Sequence, residues 1–521
     1  MHFSGIDVTI FFIYLSVILF IGLWVSREKK GHEKDSKDYF LASKALPWWA
    51  VGSSLIASNI SAEQIIGMSG SGYVIGLAIA SYEWMAALTL ILVAKYFLPI
   101  LIDKGIYTMP QFLEIRFDKR VRTSLAVFWL LVYIFVNLTS VLYLGALAIQ
   151  TIIGVPLIYG ILGLAAFSAL YSIYGGLKAV AWTDVVQIIV LVIGGLVTTY
   201  YALNFLSGGE GFFPGLVKLV KTVPEKFDMI LSPNNPNYSE LPGISVLIGG
   251  MWIANLFYWG CNQYITQRAL AAKDLPEAQK GLVFAAYLKL LMPLLVVIPG
   301  IVAFSLHADL GKPDEAYPWL LNNFVPVGMK GLAFAALIAA IVSTLSSMMN
   351  STATIFSLDL YKQIIRKNAS EKELVKVGRI VSGIAIIIAV SIAPNLISIS
   401  QAFQFIQEFT GFISPGILVI FLFGLFWKMA TPNSALTAAV LTIPLSAAFK
   451  YFLPSMPFMD RMGWIFLILA ASVIIITLIE KKGIDKKAIV LNRQLFATKP
   501  IFNIASVGVI LILIVLYACF W

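Results

Sequence analysis

The chain has 521 residues, of which 59% are hydrophobic and only 12% charged, with a mean hydropathy of +0.88. A soluble globular chain carries about 25% charged residues, so most of this surface meets lipid, and a soluble enzyme or regulator is excluded. The formal net charge of +10 does not point to a nucleic-acid partner, because the Lys and Arg residues lie in short loops between apolar runs.

Runs of the roughly 20 apolar residues that a bilayer core requires occur at about 8–26, 48–70, 78–102, 124–151, 155–174, 183–206, 243–268, 279–307, 329–361, 376–393, 399–427, 434–452, 462–480 and 501–520. The first, "IDVTIFFIYLSVILFIGLWVSREKK", has no basic leading region and no small-residue cleavage site, so it reads as a spanning helix. The strongly basic loops follow runs 1, 3, 9 and 13. They hold Arg27, Lys29, Lys30, Lys34 and Lys37; Lys104, Arg116, Lys119, Arg120 and Arg122; Lys362, Arg366, Lys367 and Lys372; and Lys481, Lys482, Lys486 and Lys487. All fall on one side, which the positive-inside rule makes the cytoplasm, with both termini outside. The 207–242 loop carries three lysines but is too long to weigh in that rule. No segment between runs is long enough for a separate soluble domain. Cys261 and Cys519 both fall in apolar runs, and His2, His32 and His307 form no metal-spaced cluster, so neither a disulfide framework nor a histidine metal site is expected.

Polar residues inside such runs are costly and default to function. The stretch "SLIASNISAEQIIGMSGSGYVIG", Ser54 to Gly76, carries Asn59, Glu63, Gln64 and several Ser and Gly. Its "MSGSG" disfavours a continuous helix, and non-helical backbone at membrane depth survives only where it is packed in protein or lines a wet cavity. Transporters expose carbonyls to ions at such breaks. Glu83 and Lys289 lie inside their runs, as a functional pair or as a plain neutralising one. Lys95 reads as a snorkelling residue. Arg268 and Asp359 lie near helix ends, and Glu408 is undecided. In "AAIVSTLSSMMNSTATIF", Ser343, Ser346 and Ser347 share a helical face bordered by Thr344. Neutral oxygens suit a hard cation such as Na⁺.

The segments "SLIASNISAEQIIGMSGSGYVIGLAIASYEW", "YSIYGGLKAVAWTDVVQ", "NLFYWGCNQYITQRALAAK" and "QAFQFIQEFTGFISPGILVIFLFGLFWK" resemble the solute:sodium symporter family, and its bacterial sugar carriers most closely, over nearly the whole chain. The resemblance implies an all-α integral membrane protein of about 14 transmembrane helices. Its LeuT-type core would comprise two inverted five-helix repeats, 48–206 and 243–427, with one extra helix before (8–26) and three after (434–520). It implies Na⁺-coupled symport of a neutral hexose, galactose or glucose, in the bacterial inner membrane. Sugar, Na⁺ and the lipid bilayer would be the partners, with no obligate protein partner and no enzymatic activity. The same machine carrying an amino acid, a polyol or a vitamin is the alternative.

By the same resemblance, sugar hydroxyls would be held by Gln64, Glu83, Asn255, Lys289 and Gln407, with Asn59 beside them. Tyr258 would stack on the sugar and close the inner gate, and Met68, Tyr82 and Phe403 would form the outer gate. Sodium would bind the carbonyls of Ala57, Ile60 and Ala340 and the hydroxyls of Ser343 and Thr344. A pyranose offers hydroxyls that both donate and accept, which amides, a carboxylate and an ammonium can meet together. Two departures stand out. Ala86 replaces a pocket serine, which puts the preferred hexose in question; Thr344 replaces a serine but keeps the hydroxyl. A second Na⁺ site is expected at Asp184, Ser343, Ser346 and Ser347, with a helix N-cap as the plainer reading of Asp184.

Overall fold

The computed structural model describes residues 4–25, 27, 35–398, 401–481 and 483–521, without the side chains of residues 36, 37, 171, 174, 175 and 398. His2, Lys29, Lys30, His32, Lys34 and Lys482 lie outside the described residues, as does the side chain of Lys37. Among the described residues the only β pairing is an isolated bridge between Leu46 and Ala272.

Among the described residues ten helices are long and apolar enough to cross a membrane. They are α1 (Gly5–Val25), α4 (Leu77–Asp103), α5 (Lys119–Ile153), α7 (Gly176–Leu206), α11 (Leu275–Ser305), α12 (Met329–Ile365), α13 (Glu371–Ile397), α16 (Pro432–Phe452), α17 (Phe458–Glu480) and α18 (Pro500–Cys519). The other four apolar runs are helical but interrupted or short. Run 2 is split into α2 (Trp48–Asn59) and α3 (Ser69–Val74), and run 5 holds the short α6 (Leu157–Leu170). Run 7 is split into α9 (Gly250–Leu256) and α10 (Gln263–Leu270). Run 11 is a pair, α14 (Ala402–Gly411) and α15 (Ser414–Phe426), bent by 48°. The 207–242 loop carries the short helix α8 (Phe212–Thr222).

Burial locates the centre. The apolar window of α12 is 94% buried and that of α1 only 17%. Helix α12 is therefore the hub, and α1 faces lipid. Helices α16, α17 and α18 are 22–28% buried, which also makes them peripheral.

The break in run 2 has a local cause. Ile60 leaves the helical region (φ −77°, ψ 101°). The chain restarts with a capping box over Ser61-Ala62-Glu63-Gln64: the Glu63 N–H donates to Ser61 Oγ (3.0 Å), and Gln64 Oε1 accepts the Ser61 N–H (3.1 Å). The Ser61 N–H, which a continuous helix would give to the Ala57 carbonyl, is thereby diverted. The break thus falls ahead of "MSGSG". Those glycines lie within or beside α3 and serve close packing: a Cβ at Gly72 would stand 2.7 Å from the Val297 carbonyl of α11. The break in run 7 is similar, with a wide turn at Phe257–Cys261 followed by extended Asn262 (φ −85°, ψ 123°).

Helix α7 begins at Gly176, whose φ of +65° separates it from α6. Asp184 therefore lies two turns inside α7 and does not cap it.

Candidate functional site

The two interrupted spans face each other. Asn59, the last residue of α2, donates through Nδ2 to the Tyr258 hydroxyl (2.9 Å), which lies in the wide turn of run 7 and is itself bonded to the Tyr264 hydroxyl. Asn59 Oδ1 accepts from Lys289 Nζ of α11, and the same ammonium pairs with Glu83 Oε2 of α4 at 2.5 Å. Lys289 and Glu83 are 1% and 3% exposed, so neither charge reaches water and each is met by the other.

A cavity of about 60 Å³ opens beside this pair. All seven residues expected to hold a sugar line it: Asn59, Gln64, Glu83, Asn255, Tyr258, Lys289 and Gln407. Gln64 Oε1 is occupied by Ser61, through its N–H and its hydroxyl (3.0 Å), so its amide N–H groups remain for the cavity. Asn255 Nδ2 donates to the Met251 carbonyl within its own helix (3.2 Å). Small-molecule sites span roughly 300–1,000 Å³; the space here is enough for only a few waters.

Aromatic side chains border the cavity. Tyr82 and Phe403 meet edge to face with centroids 5.1 Å apart, and both line the cavity. Met68 is fully buried but stands outside the lining. Gly67, next to it, lies so close to Phe403 that a Cβ there would be 2.9 Å from the Phe403 Cβ.

Among the polar lining residues not singled out as ligands are Glu63 and Asn137. Glu63 is buried with one carboxyl oxygen unpartnered, and Asn137 comes from α5. Glu63 neighbours Gln64 in the polar stretch already noted. Asn137 stands in "VNLTS", a polar interruption of an apolar run that was open to notice.

A second polar region lies where α2 meets α12 and α7. Thr344 Oγ1 donates to the Ser58 carbonyl (3.0 Å) and to that of Ala340 (3.1 Å). The end of α2, with Ala57 and Ile60, is thus held against Ala340, Ser343 and Thr344. Asp184 is fully buried and accepts from Ser343 Oγ (2.5 Å), Ser54 Oγ (2.5 Å) and Ser58 Oγ (3.5 Å). Ser347 joins indirectly, through Ser58 (2.9 Å) and Arg268. Among the described residues no hydrogen bond joins Ser346 to Asp184; its carbonyl accepts from Ser172 (3.1 Å). The set around Asp184 is therefore Ser54, Ser58 and Ser343, and the two serines of α2 had been missed.

The remaining intramembrane charges have other partners. Arg268 is fully buried and bonded to the Tyr264 carbonyl and Ser347. Asp359 accepts from Thr108 (2.9 Å) and Arg122 (2.8 Å). Glu408 pairs with Arg461 at 2.6 Å and Lys450 at 3.1 Å. Lys95 lies 5.7 Å from the Tyr96 ring centroid near the end of α4.

Interrupted helices meet around a polar cavity, and the fold matches that of solved transporters. The chain superposes on a Na⁺-coupled sialic acid symporter solved in a substrate-bound outward-open state, with a TM-score of 0.80 at 23% identity, covering 91% of this chain and 98% of that one. It superposes less closely on Mhp1, a nucleobase-cation-symport-1 family transporter, with a TM-score of 0.53 at 13% identity, covering 87% and 98%. The fold is that of the LeuT-type transporters. Residues 39–442 match the Sodium:solute symporter family, and the chain belongs to that family; sodium is its coupling ion. It is 57% identical to a sodium/glucose cotransporter of Vibrio parahaemolyticus, covering 99% of this chain and 98% of that one. It is 36% identical to the sodium/myo-inositol cotransporter 2 of Mus musculus, covering 84% and 69%.

Proposed function

We propose that the protein carries a neutral hexose, glucose or galactose, across the bacterial inner membrane together with sodium, by alternating access. The observation that carries this reading is the Glu83–Lys289 pair standing in one cavity with the side chains of Asn59, Gln64, Asn255 and Gln407. A carboxylate and an ammonium that neutralise each other suit an uncharged guest. The amides can both donate to and accept from its hydroxyls. Tyr258 supplies a ring face for stacking and a hydroxyl tied to Asn59. Support for a sugar also comes from the Vibrio relative.

Fourteen crossings follow if each apolar run spans the bilayer. The stretches 48–206 and 243–427 then form two inverted halves, each headed by an interrupted span, with both termini outside. The sodium bound at Ala57, Ile60, Ala340, Ser343 and Thr344 would join α2 to α12. Its fit rests on the Ala57 carbonyl that the capping box sets free and on neutral hydroxyls, which suit a hard cation. Filling that site would bias the conformation that accepts sugar, and the sugar would bias sodium affinity equally. A second sodium would use Asp184 with Ser54, Ser58 and Ser343, and Ser347 one bond further out.

A polyol such as a cyclitol is the second reading, favoured by the mouse relative. An amino acid or other carboxylate would want a free arginine, and no arginine lines the cavity. Competition against labelled glucose in proteoliposomes tests the assignment. Galactose or glucose should compete best, inositol weakly and amino acids not at all; a ranking led by inositol would transfer the assignment to polyols. Restoring a pocket hydroxyl with Ala86→Ser should change the ranking between hexoses.

A further inference from the structure

The 207–242 loop has no role in the scheme above, yet it grips the outer half of the interrupted span. Helix α3 ends at Val74, and the chain turns at Gly76 with φ +96° before α4 begins. A helix end leaves carbonyls without intrahelical partners. Here the ammonium of Lys226 supplies the donors, bonding the carbonyls of Val74 (2.6 Å) and Tyr73 (3.1 Å). Asn237, from the same loop, donates to Val74 as well (3.2 Å). The Lys226 ammonium stands 4.0 Å over the Phe304 ring of α11, which meets the ring of Tyr73 edge to face. Among the described residues no carboxylate forms an ion pair with Lys226; burial lowers its pKa, opposed by the charge of the neighbouring Glu225. Its cationic end is spent on a helix C-terminus, where positive charge is favourable. The turn fits the loop closely: a Cβ at Gly76 would run into the Lys226 carbonyl.

The loop is itself anchored. Helix α8 lies against the end of α7, where a Cβ at Gly215 would collide with the Leu203 carbonyl. Further on, the Met229 N–H donates to the carbonyl of Phe520 (2.8 Å), and the Phe227 and Phe520 rings lie 5.9 Å apart. The grip therefore joins fixed structure to a short segment with a gate residue at each end, Met68 before α3 and Tyr82 after Gly76. The third gate residue is held by an outer loop too. The Ala402 N–H, next to Phe403, donates to Asp314 (3.1 Å), and Asp314 is packed against Gly70 of α3.

We propose that Lys226 is a positioning residue for the outer gate, and that the 207–242 loop holds α3 in the closed arrangement. This rests on the outer-gate reading of Met68, Tyr82 and Phe403. The test uses the full chain in proteoliposomes, with Cys261→Ala and Cys519→Ser, and Met68→Cys as a reporter for a membrane-impermeant maleimide added outside. Labelling should fall when sodium and glucose close the gate. Lys226→Met should raise the labelling rate about fivefold, the scale of one helix-end charge interaction, and Lys226→Arg should restore it. Asn237→Leu removes only the second donor and should give a smaller rise. Labelling that responds to sodium and sugar but is unchanged by Lys226→Met overturns the proposal alone. Labelling indifferent to sodium and sugar overturns the gate reading and the proposal with it. Should Lys226→Met fail to fold, the Asn237→Leu rate decides, a rise supporting the proposal and a wild-type rate overturning it.

Discussion

The cavity beside Lys289 and the hydroxyl cluster around Asp184 flank the same interrupted span, and each contains a buried carboxylate. Their neutralisation differs. Glu83 is paired with an ammonium at 2.5 Å, so that pair leaves no charge over, while the cavity also carries the Glu63 carboxyl group, one oxygen of which is unpartnered. Asp184 is met by three serine hydroxyls; the buried Arg268 is close enough to act on it electrostatically, but among the described residues it bonds Ser347 and not the carboxylate. Hydroxyls can rotate, offering a lone pair to an ion where they now offer a proton. The first arrangement suits a neutral polyhydroxyl guest and the second a cation. On the proposed reading, two guests of different charge would bind either side of one break and report to each other through it.

The comparison breaks most sharply at Lys289. Lys289→Ala leaves Glu83 buried and unpaired, and removing one member of such a pair is more costly than a neutral hydrogen bond. Sugar uptake should vanish while the protein still inserts and folds. Gln64→Ala should lower sugar affinity about ten- to a hundred-fold, from roughly 1–3 kcal/mol per unmet buried polar group. Uptake at the wild-type rate in both variants would show that the sugar binds elsewhere.

On the other side of the break, Ser343→Ala and Thr344→Ala should each raise the sodium concentration for half-maximal uptake about tenfold, with little change in sugar affinity at saturating sodium. The size is that of one hydrogen-bonding ligand, and sodium titrations of uptake measure it. Equal losses of sugar and sodium affinity would dissolve the distinction between the two regions.

The smallest effect sharpens the comparison. If Asp184 holds a second sodium, Asp184→Asn and Ser58→Ala should lower the Hill slope for sodium from about two to one while sugar uptake persists. Reversal potentials of the sugar-coupled current give the same ratio. A slope of one in the wild type, untouched by either change, would leave Asp184 structural.

Much of this was legible in the sequence because polarity inside an apolar run is conspicuous. Asn59, Gln64, Glu83, Lys289 and the serines of α12 could all be marked from one chain, and the resemblance to relatives brought Asn255, Tyr258 and Gln407 beside them. The register of the break was misread. "MSGSG" looks like the weak point, but the helix stops at Ile60, because the Ser61–Gln64 capping box outweighs the poor helix propensity of Gly70 and Gly72 further on. Asp184 reads as a helix opener beside Thr183, yet the bend comes earlier, at Gly176, and needs tertiary contact with Tyr39 to make sense. The serines of α2 that face Asp184 were visible, but their partner is 130 residues away for Ser54. The grip of Lys226 on Val74 spans 152 residues, and nothing in the loop's composition announces it.

The central claim is that sodium on one face of the break drives a neutral sugar on the other. The most direct measurement is uptake of labelled glucose, with galactose in parallel, into proteoliposomes holding the purified chain under an imposed inward sodium gradient. Accumulation should be saturable, rise above the outside concentration, and collapse when sodium is equal on both sides. Equal accumulation with potassium replacing sodium on both sides would contradict the account.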